Sequence, residues 1–391
     1  LRAEASALYR GRPSAERLAE ATRRLDAPLR VAIAGKVKSG KSTLLNALVG
    51  EELAPTDAGE CTKVVTWYHD GVSATVTMHP RDGAPRQVPF RRDGGALDVD
   101  LGATEADDVA RLDVSWPSRR LRSITLIDTP GIDSVNTEIS RRTLDVLASD
   151  DHRARDADAV VYLMRHVHRS DVDFLEAFHD DDLAQPSPVN AVAVLSRADE
   201  VGACRPDALD TAARIAARYR TDPALRRLCQ TVVPVAGLVA QASATLTETE
   251  FRSLATLARL GRERVDALLL SVDRFVVEDD TLPITSIERE DLLDRLGLYG
   301  VRIAFDALID GSVSTSAQLV ELFRRRSGLD ELRAVLEREF TERTAVLVAR
   351  SALDVIDDVL RDDPVAGTDA LLARWERVVA SAHELVEIRA L

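Results

Sequence analysis

Lysine is almost missing from this chain. Of 51 positively charged residues in 391, four are lysines; Lys36, Lys38 and Lys41 crowd into one short stretch, and arginine carries the positive charge nearly everywhere else. Cysteine is as scarce. Cys61, Cys204 and Cys229 form an odd, scattered set, which excludes a disulfide framework and a cysteine-spaced metal site and predicts a reducing compartment. No run of about 18 apolar residues occurs, so no bilayer-spanning helix is expected, and no signal-peptide pattern opens the sequence. Excess positive charge is also absent. A net charge of −14 argues against nonspecific binding to nucleic acid or to an anionic membrane, since both need clustered cations.

The lysine-bearing stretch, Gly35-Lys36-Val37-Lys38-Ser39-Gly40-Lys41-Ser42, follows an apolar run at 29–34 and precedes the helix-like segment 43–48. Strand, glycine loop and helix in that order predict a phosphate-binding loop. Gly35 and Gly40 permit backbone angles that let consecutive N–H groups turn inward around a β-phosphate. A helix starting at Lys41 puts its positive dipole end beneath the phosphates, and the Lys41 ammonium reaches the β and γ oxygens. Ser42 offers its hydroxyl to Mg²⁺, the expected cofactor, with Thr43 beside it.

The other elements of a triphosphate site follow in order. The strand ending in Asp128-Thr129-Pro130-Gly131 supplies a carboxylate to hold Mg²⁺ through water and a Gly131 N–H for the γ-phosphate. Thr62, twenty residues after Ser42, is the candidate for the first switch and a third metal contact. The strand 189–195 runs into Ser196-Arg197-Ala198-Asp199, placing a carboxylate at the strand end where ligands bind in such folds. That acceptor suits the N1–H and 2-amino donors of guanine, with Arg197 lying over the base. Backbone N–H groups at Val235 and Ala236 are expected to meet guanine O6.

Up to about residue 240, short apolar runs alternate with amphipathic stretches, which predicts an α/β domain with a mostly parallel sheet. The expected strands are 30–35, 63–69, 73–79, 109–115, 123–128, 158–164, 189–195 and 231–235. Beyond it, segments 248–273, 287–311, 315–325, 328–362 and 368–389 carry apolar residues at three and four spacing and predict an all-α bundle, with breaks at Pro283, Gly311 and Pro364. A helix N-capped by Ser14 is expected to pack on the C-terminal helices. The division reads as 1–27, an N-terminal helical segment; 28–245, an α/β nucleotide-binding domain; and 246–391, an all-α region expected to belong to a longer chain.

The stretch 35–50, Ala54-Pro55-Thr56-Asp57, 65–67, Asp128 to Gly131, Ser196 to Glu200, 232–238 and 269–276 together resemble the dynamin superfamily of large GTPases. Within it they resemble the bacterial dynamin-like proteins of the mycobacterial isoniazid-inducible group, the smaller C-type branch above all. The resemblance implies a dynamin-type P-loop GTPase domain at 28–245 joined to a helical neck and trunk at 246–391, GTP hydrolysis to GDP and phosphate, activation by pairing of GTPase domains, membrane remodelling from a peripheral position at the inner face of the cell membrane, and a companion dynamin-like chain. Nucleic acid is not an expected partner. A slow GTP-dependent switch that recruits a protein without deforming membrane is the alternative. Arg197 stands where the family carries lysine, which keeps the charge and the planar surface but not the reach.

Several other groups were weighed against plainer roles. His166 and His168 with Asp171 and Asp173 have metal-binding residue types but read as a loop, Arg141 and Arg142 as a helix surface, and Arg324 to Arg326 as a helix C-terminus. Ile132 follows Gly131, so no side chain there orients a water, and catalysis falls to Thr62, backbone groups and added positive charge. In dynamins a serine at the position of Lys38 helps hold a monovalent cation, and in guanylate-binding proteins an arginine there acts in cis; Lys38 is therefore a candidate built-in cation. Steady-state kinetics of Lys38→Ala check this: a fall in kcat with little change in KM is expected, and a loss of affinity alone marks a solvated loop lysine.

Overall fold

The computed structural model of the chain describes residues 1–55, 64–93, 96–131, 157–166, 171, 172, 175 and 190–381. The strands are β1 (Leu29–Gly35), β2 (Thr66–Asp70), β3 (Thr75–Pro80), β4 (Arg86–Val88), β5 (Phe90–Asp93), β6 (Ala96–Val99), β7 (Val109–Trp116), β8 (Ile124–Asp128), β9 (Ala159–Met164), β10 (Ala191–Ser196) and β11 (Val232–Val235). Nine form one sheet in the order β11-β10-β9-β1-β8-β2-β7-β3-β4, and β5 and β6 make a separate hairpin. From β11 to β8 all neighbours are parallel; β2 runs antiparallel to β8, β7 parallel to β2, and β3 and β4 antiparallel. All eight expected strands are present. Strands β4, β5 and β6 were not expected, because they are short and charged residues interrupt any apolar run.

The described helices are α1 (Arg2–Leu8), α2 (Ser14–Arg24), α3 (Lys41–Val49), α4 (Ala208–Thr221), α5 (Pro223–Arg226), α6 (Gly237–Thr245), α7 (Glu248–Ala258), α8 (Arg262–Leu268), α9 (Val272–Val276), α10 (Ser286–Ile309), α11 (Ser316–Arg325), α12 (Leu329–Leu336), α13 (Thr344–Asp362) and α14 (Thr368–Ser381). The central strands are buried on both faces, which is why β1, β9 and β10 read as unbroken apolar runs. One face is covered by α3, α6, α12 and α13 through Leu44, Ala240, Leu332 and Leu347. The other carries α4 and α5 through Ala212, Ala216 and Leu225. Packing runs on past residue 245: Val239 of α6 shares a cluster with Leu254, Leu296 and Phe323.

Three helix expectations are corrected. The stretch 248–273 is broken into α7, α8 and the start of α9, because Gly261 sits at φ +82° and Ser271 caps the next helix with its side chain. The stretch 328–362 is interrupted by a π-turn over Glu337–Thr341. Ser14 does not cap its own helix: Pro13 occupies that position, and the Ser14 hydroxyl donates to Asp363. Helix α10 opens with a capping box between Thr285 and Glu288 and is kinked at Gly297, where φ is +66°. Arg289 inside it is fully buried and donates to the carbonyls of Phe275, Ile284 and Val277, each at 2.6 Å.

The two ends of the chain meet. Tyr9 and Leu18 pack with Ile356, Leu360 and Trp375, and the Tyr9 hydroxyl donates to Asp363 O at 2.8 Å. Asp158, just before β9, has a wholly buried side chain that accepts from Arg24 Nη2 at 2.6 Å, Arg30 N at 2.9 Å and Ser351 Oγ at 2.8 Å. One carboxylate therefore fastens α2, β1 and α13 together. Asp158→Ala leaves Arg24 buried and unpaired, and a loss of about 3–5 kcal/mol in unfolding free energy is expected from denaturant titration.

Candidate functional site

The carboxyl ends of β1, β8, β10 and β11 converge on one side of the sheet, and the candidate residues sit there. Gly40 takes φ +92° and α3 starts at the next residue. Gly35, at φ +149°, lies against β9, so that a Cβ on it would stand 2.5 Å from Leu163 O. Both expected glycine roles follow from this backbone. Lys38 also adopts the left-handed conformation, at φ 60°, and its side chain is exposed. Beneath it, Ser39 is buried with a hydroxyl that has no partner.

Lys41 is buried and folded across the loop, where its ammonium donates to Gly35 O at 3.1 Å and Lys36 O at 3.2 Å. Burial pushes its pKa down, with Asp128 opposing. Ser42 Oγ donates to Asp128 Oδ2 at 3.1 Å, and the other oxygen, Oδ1, is buried without a partner. Burial raises the Asp128 carboxyl to about 6 against the pull of Lys41 and the Ser42 hydrogen bond. An orphaned carboxylate oxygen beside a hydroxyl is the donor set a hard divalent cation takes, so these residues fit Mg²⁺. Thr129 anchors the segment by donating Oγ1 to Ile33 O at 2.9 Å.

The base end is a small cavity of about 130 Å³ lined by Thr43, Ser196, Asp199, Val235, Gly237 and Leu238 among others. Arg197 sits at φ 51° and pairs with Glu200, which Arg165 also holds. Burial pushes the Glu200 carboxyl up, but the two arginines outweigh it and hold it below the usual range. Burial raises Asp199 to about 6. Arg197 is thus turned to Glu200, and its expected place over a base is not the one it holds here. The Ala236 expectation is corrected: its N–H donates to Ser327 O at 2.9 Å and is spent within the protein.

Lys36 points away from the loop to the buried Asp171, 3.1 Å from its carboxylate, which also accepts from Tyr162 at 2.8 Å. Asp171, weighed above with a histidine pair, serves instead as an anchor for the loop. Val37 is exposed and touches Gly131: a Cβ on Gly131 would stand 2.6 Å from Val37 Cγ2 and 2.8 Å from its Cα. Thr62, Ile132, Arg141, Arg142, His168 and Asp173 lie outside the described residues. Sequence reading missed Asn46, a buried residue of α3 that accepts from Leu53 and Ala54 N–H and donates to Ala54 O. Its signal was an asparagine within an otherwise apolar helix.

The contact between Gly131 and Val37 makes one substitution informative. Gly131→Ala forces the loop backbone to shift, and at least a tenfold weaker binding of a fluorescent GTP analogue is expected with little change in thermal stability.

Comparison with known proteins agrees with this geometry. A profile of the Dynamin family matches residues 31–183. Isoniazid-induced protein IniC of Mycobacterium tuberculosis is 39% identical over 368 residues, which is 94% of this chain and 74% of IniC. A bacterial dynamin-like protein of Nostoc punctiforme is 34% identical over 114 residues, 26% of this chain and 16% of its own. A solved structure of an oligomerised bacterial dynamin pair, 14% identical, aligns over 92% of this chain with a TM-score of 0.37, and this chain spans 49% of that one. With a family profile that takes in β1 and β8 and an IniC match over 94% of its length, this chain belongs to the dynamin family and carries its GTPase-like domain.

Proposed function

We infer that the chain binds GTP with Mg²⁺, hydrolyses it to GDP and phosphate, and is activated when two GTPase domains pair. The observation that carries this reading is the trio of Lys41, Ser42 and Asp128, with a buried carboxylate oxygen left over for a cation. Ser42 and Asp128, joined by Thr62, would hold Mg²⁺, which when bound neutralises charge on the β- and γ-phosphate oxygens. Lys41 exchanges the carbonyls of Gly35 and Lys36 for phosphate oxygens, and the loop N–H groups donate to the β-phosphate. Gly131 N–H meets the γ-phosphate, and Lys38, exposed at the loop crest, is placed to add charge from the domain surface. Asp199 accepts from the guanine edge while Val235 and Leu238 line the cavity.

Membrane remodelling is the output proposed on family grounds, from a peripheral position at the inner face of the cell membrane and with a companion dynamin-like chain. Among the described residues no helix is long and apolar enough to cross a membrane, which is compatible with peripheral attachment.

Phosphate release from Mg·GTP and Mg·ATP over a range of protein concentrations tests the reading. GTP-selective turnover whose specific activity rises with concentration is expected; flat turnover favours the regulatory switch. Asp199→Asn should weaken GTP by about tenfold to a hundredfold, the value of hydrogen bonds to a charged acceptor. Because guanine recognition needs the ionised carboxyl, affinity should be steady above pH 6 and fall as pH drops through about 6, where the free Asp199 takes up its proton. The same titration on Asp199→Asn should show a shallower fall, the remainder coming from Asp128, whose carboxyl burial also raises to about 6.

A further inference from the structure

A second cavity of about 500 Å³ lies between α2, α13 and the strand residues Arg30, Trp67 and Arg111 of β1, β2 and β7. It stands apart from the nucleotide loop: Arg30 on its wall and Gly35 in the loop are five residues apart along β1, about 16 Å of strand. Its wall is unusual in what it offers. Arg24 is 8% exposed and Trp67 6% exposed. Arg24 Nε, Trp67 Nε1 and Arg17 Nε are all buried with no hydrogen-bond partner. Among the described residues, every unpartnered buried group on this wall is a donor.

The arginines are fixed in place by contacts on their other sides. Arg24 Nη2 is held by Asp158 and Arg17 Nη1 by Asp362. The Trp67 ring lies 4.5 Å from the Arg30 guanidinium and 4.3 Å from that of Arg111. Glu20 at the mouth pairs with Arg23, and Glu16 is exposed. Arg17 Nη2 is a fourth such donor, and leaving four buried donors unmet is costly, so the site is built for something that brings acceptors. Arginine forks match phosphate oxygens, and the volume suits a small organic molecule.

We propose that this cavity binds a soluble phosphorylated small molecule, whose phosphate oxygens accept from Arg17, Arg24 and Trp67. With Arg17 and Arg24 on α2 and Trp67 on β2, the ligand fastens α2 to the sheet.

Isothermal titration with inorganic phosphate tests this on the chain already saturated with Mg·GDP, so that the nucleotide loop is filled. Chloride at matched ionic strength is the control. Saturable binding of one phosphate per chain is expected, at least tenfold weaker in Arg17→Met and several-fold weaker in Trp67→Phe, which keeps the ring and removes only the N–H. GDP affinity should stay unchanged in both. No saturable binding in the parent chain, or equal binding in both variants, overturns the proposal. Arg17-dependent sedimentation with phosphatidic acid vesicles would assign the site to a lipid headgroup and overturn the soluble ligand.

Discussion

One buried carboxylate holds the architecture together. Asp158 accepts from a side chain of α2, from the backbone of β1 and from a hydroxyl of α13, each more than a hundred residues away from it along the chain. A charge taken out of water is tolerable only when its lone pairs are met, and here three donors from three directions meet them. The same geometry that solves the desolvation problem dictates where the terminal helices lie. Arg24 can reach Asp158 only with α2 lying over the start of β1, and Ser351 only with α13 beside it.

The helical half is joined to the nucleotide side of the sheet by a second set of contacts. Arg295 of α10 reaches Glu52 beyond α3 and Glu250 at the start of α7, and Gln241 of α6 donates to the same Glu52. Arg333 of α12 donates to Ala47 O at 2.8 Å, near the end of the helix that begins at Lys41. Ser327 takes the Ala236 N–H beside the base cavity. Arg333 ties α12 to the end of α3, and Arg295 and Gln241 tie α10 and α6 to Glu52 just beyond it. A shift of α3 therefore loads α10 and α12.

Much of this was legible because it is local. The phosphate loop needs glycine, lysine and serine at fixed spacing between a strand and a helix, and Gly35 to Ser42 meets that requirement within a single turn of chain. The central strands were visible because burial on both faces leaves β9, and β10 up to Leu195, without a charged or amide side chain. What escaped depends on partners far away in sequence. Nothing near Asp158 tells of Ser351, nothing near Ala236 tells of Ser327, and Lys36 looks like a phosphate ligand until Asp171 is placed beside it. Ser14 had the composition of an N-cap but found a better acceptor in Asp363 at the other end of the chain. Short charged strands such as β4 gain their pairing from β3, so their own residues carry no pattern.

The kink in α10 has a mechanical meaning. Gly297 stands where a Cβ would come within 3.8 Å of the Asp199 carboxylate, so the helix changes direction against the wall of the base cavity. Beyond the bend the helix continues to Ile309, a rigid arm of about 18 Å at the usual rise per residue. Ten degrees of rotation at that pivot carries the far end through about 3 Å, as much as a helix gains in two residues.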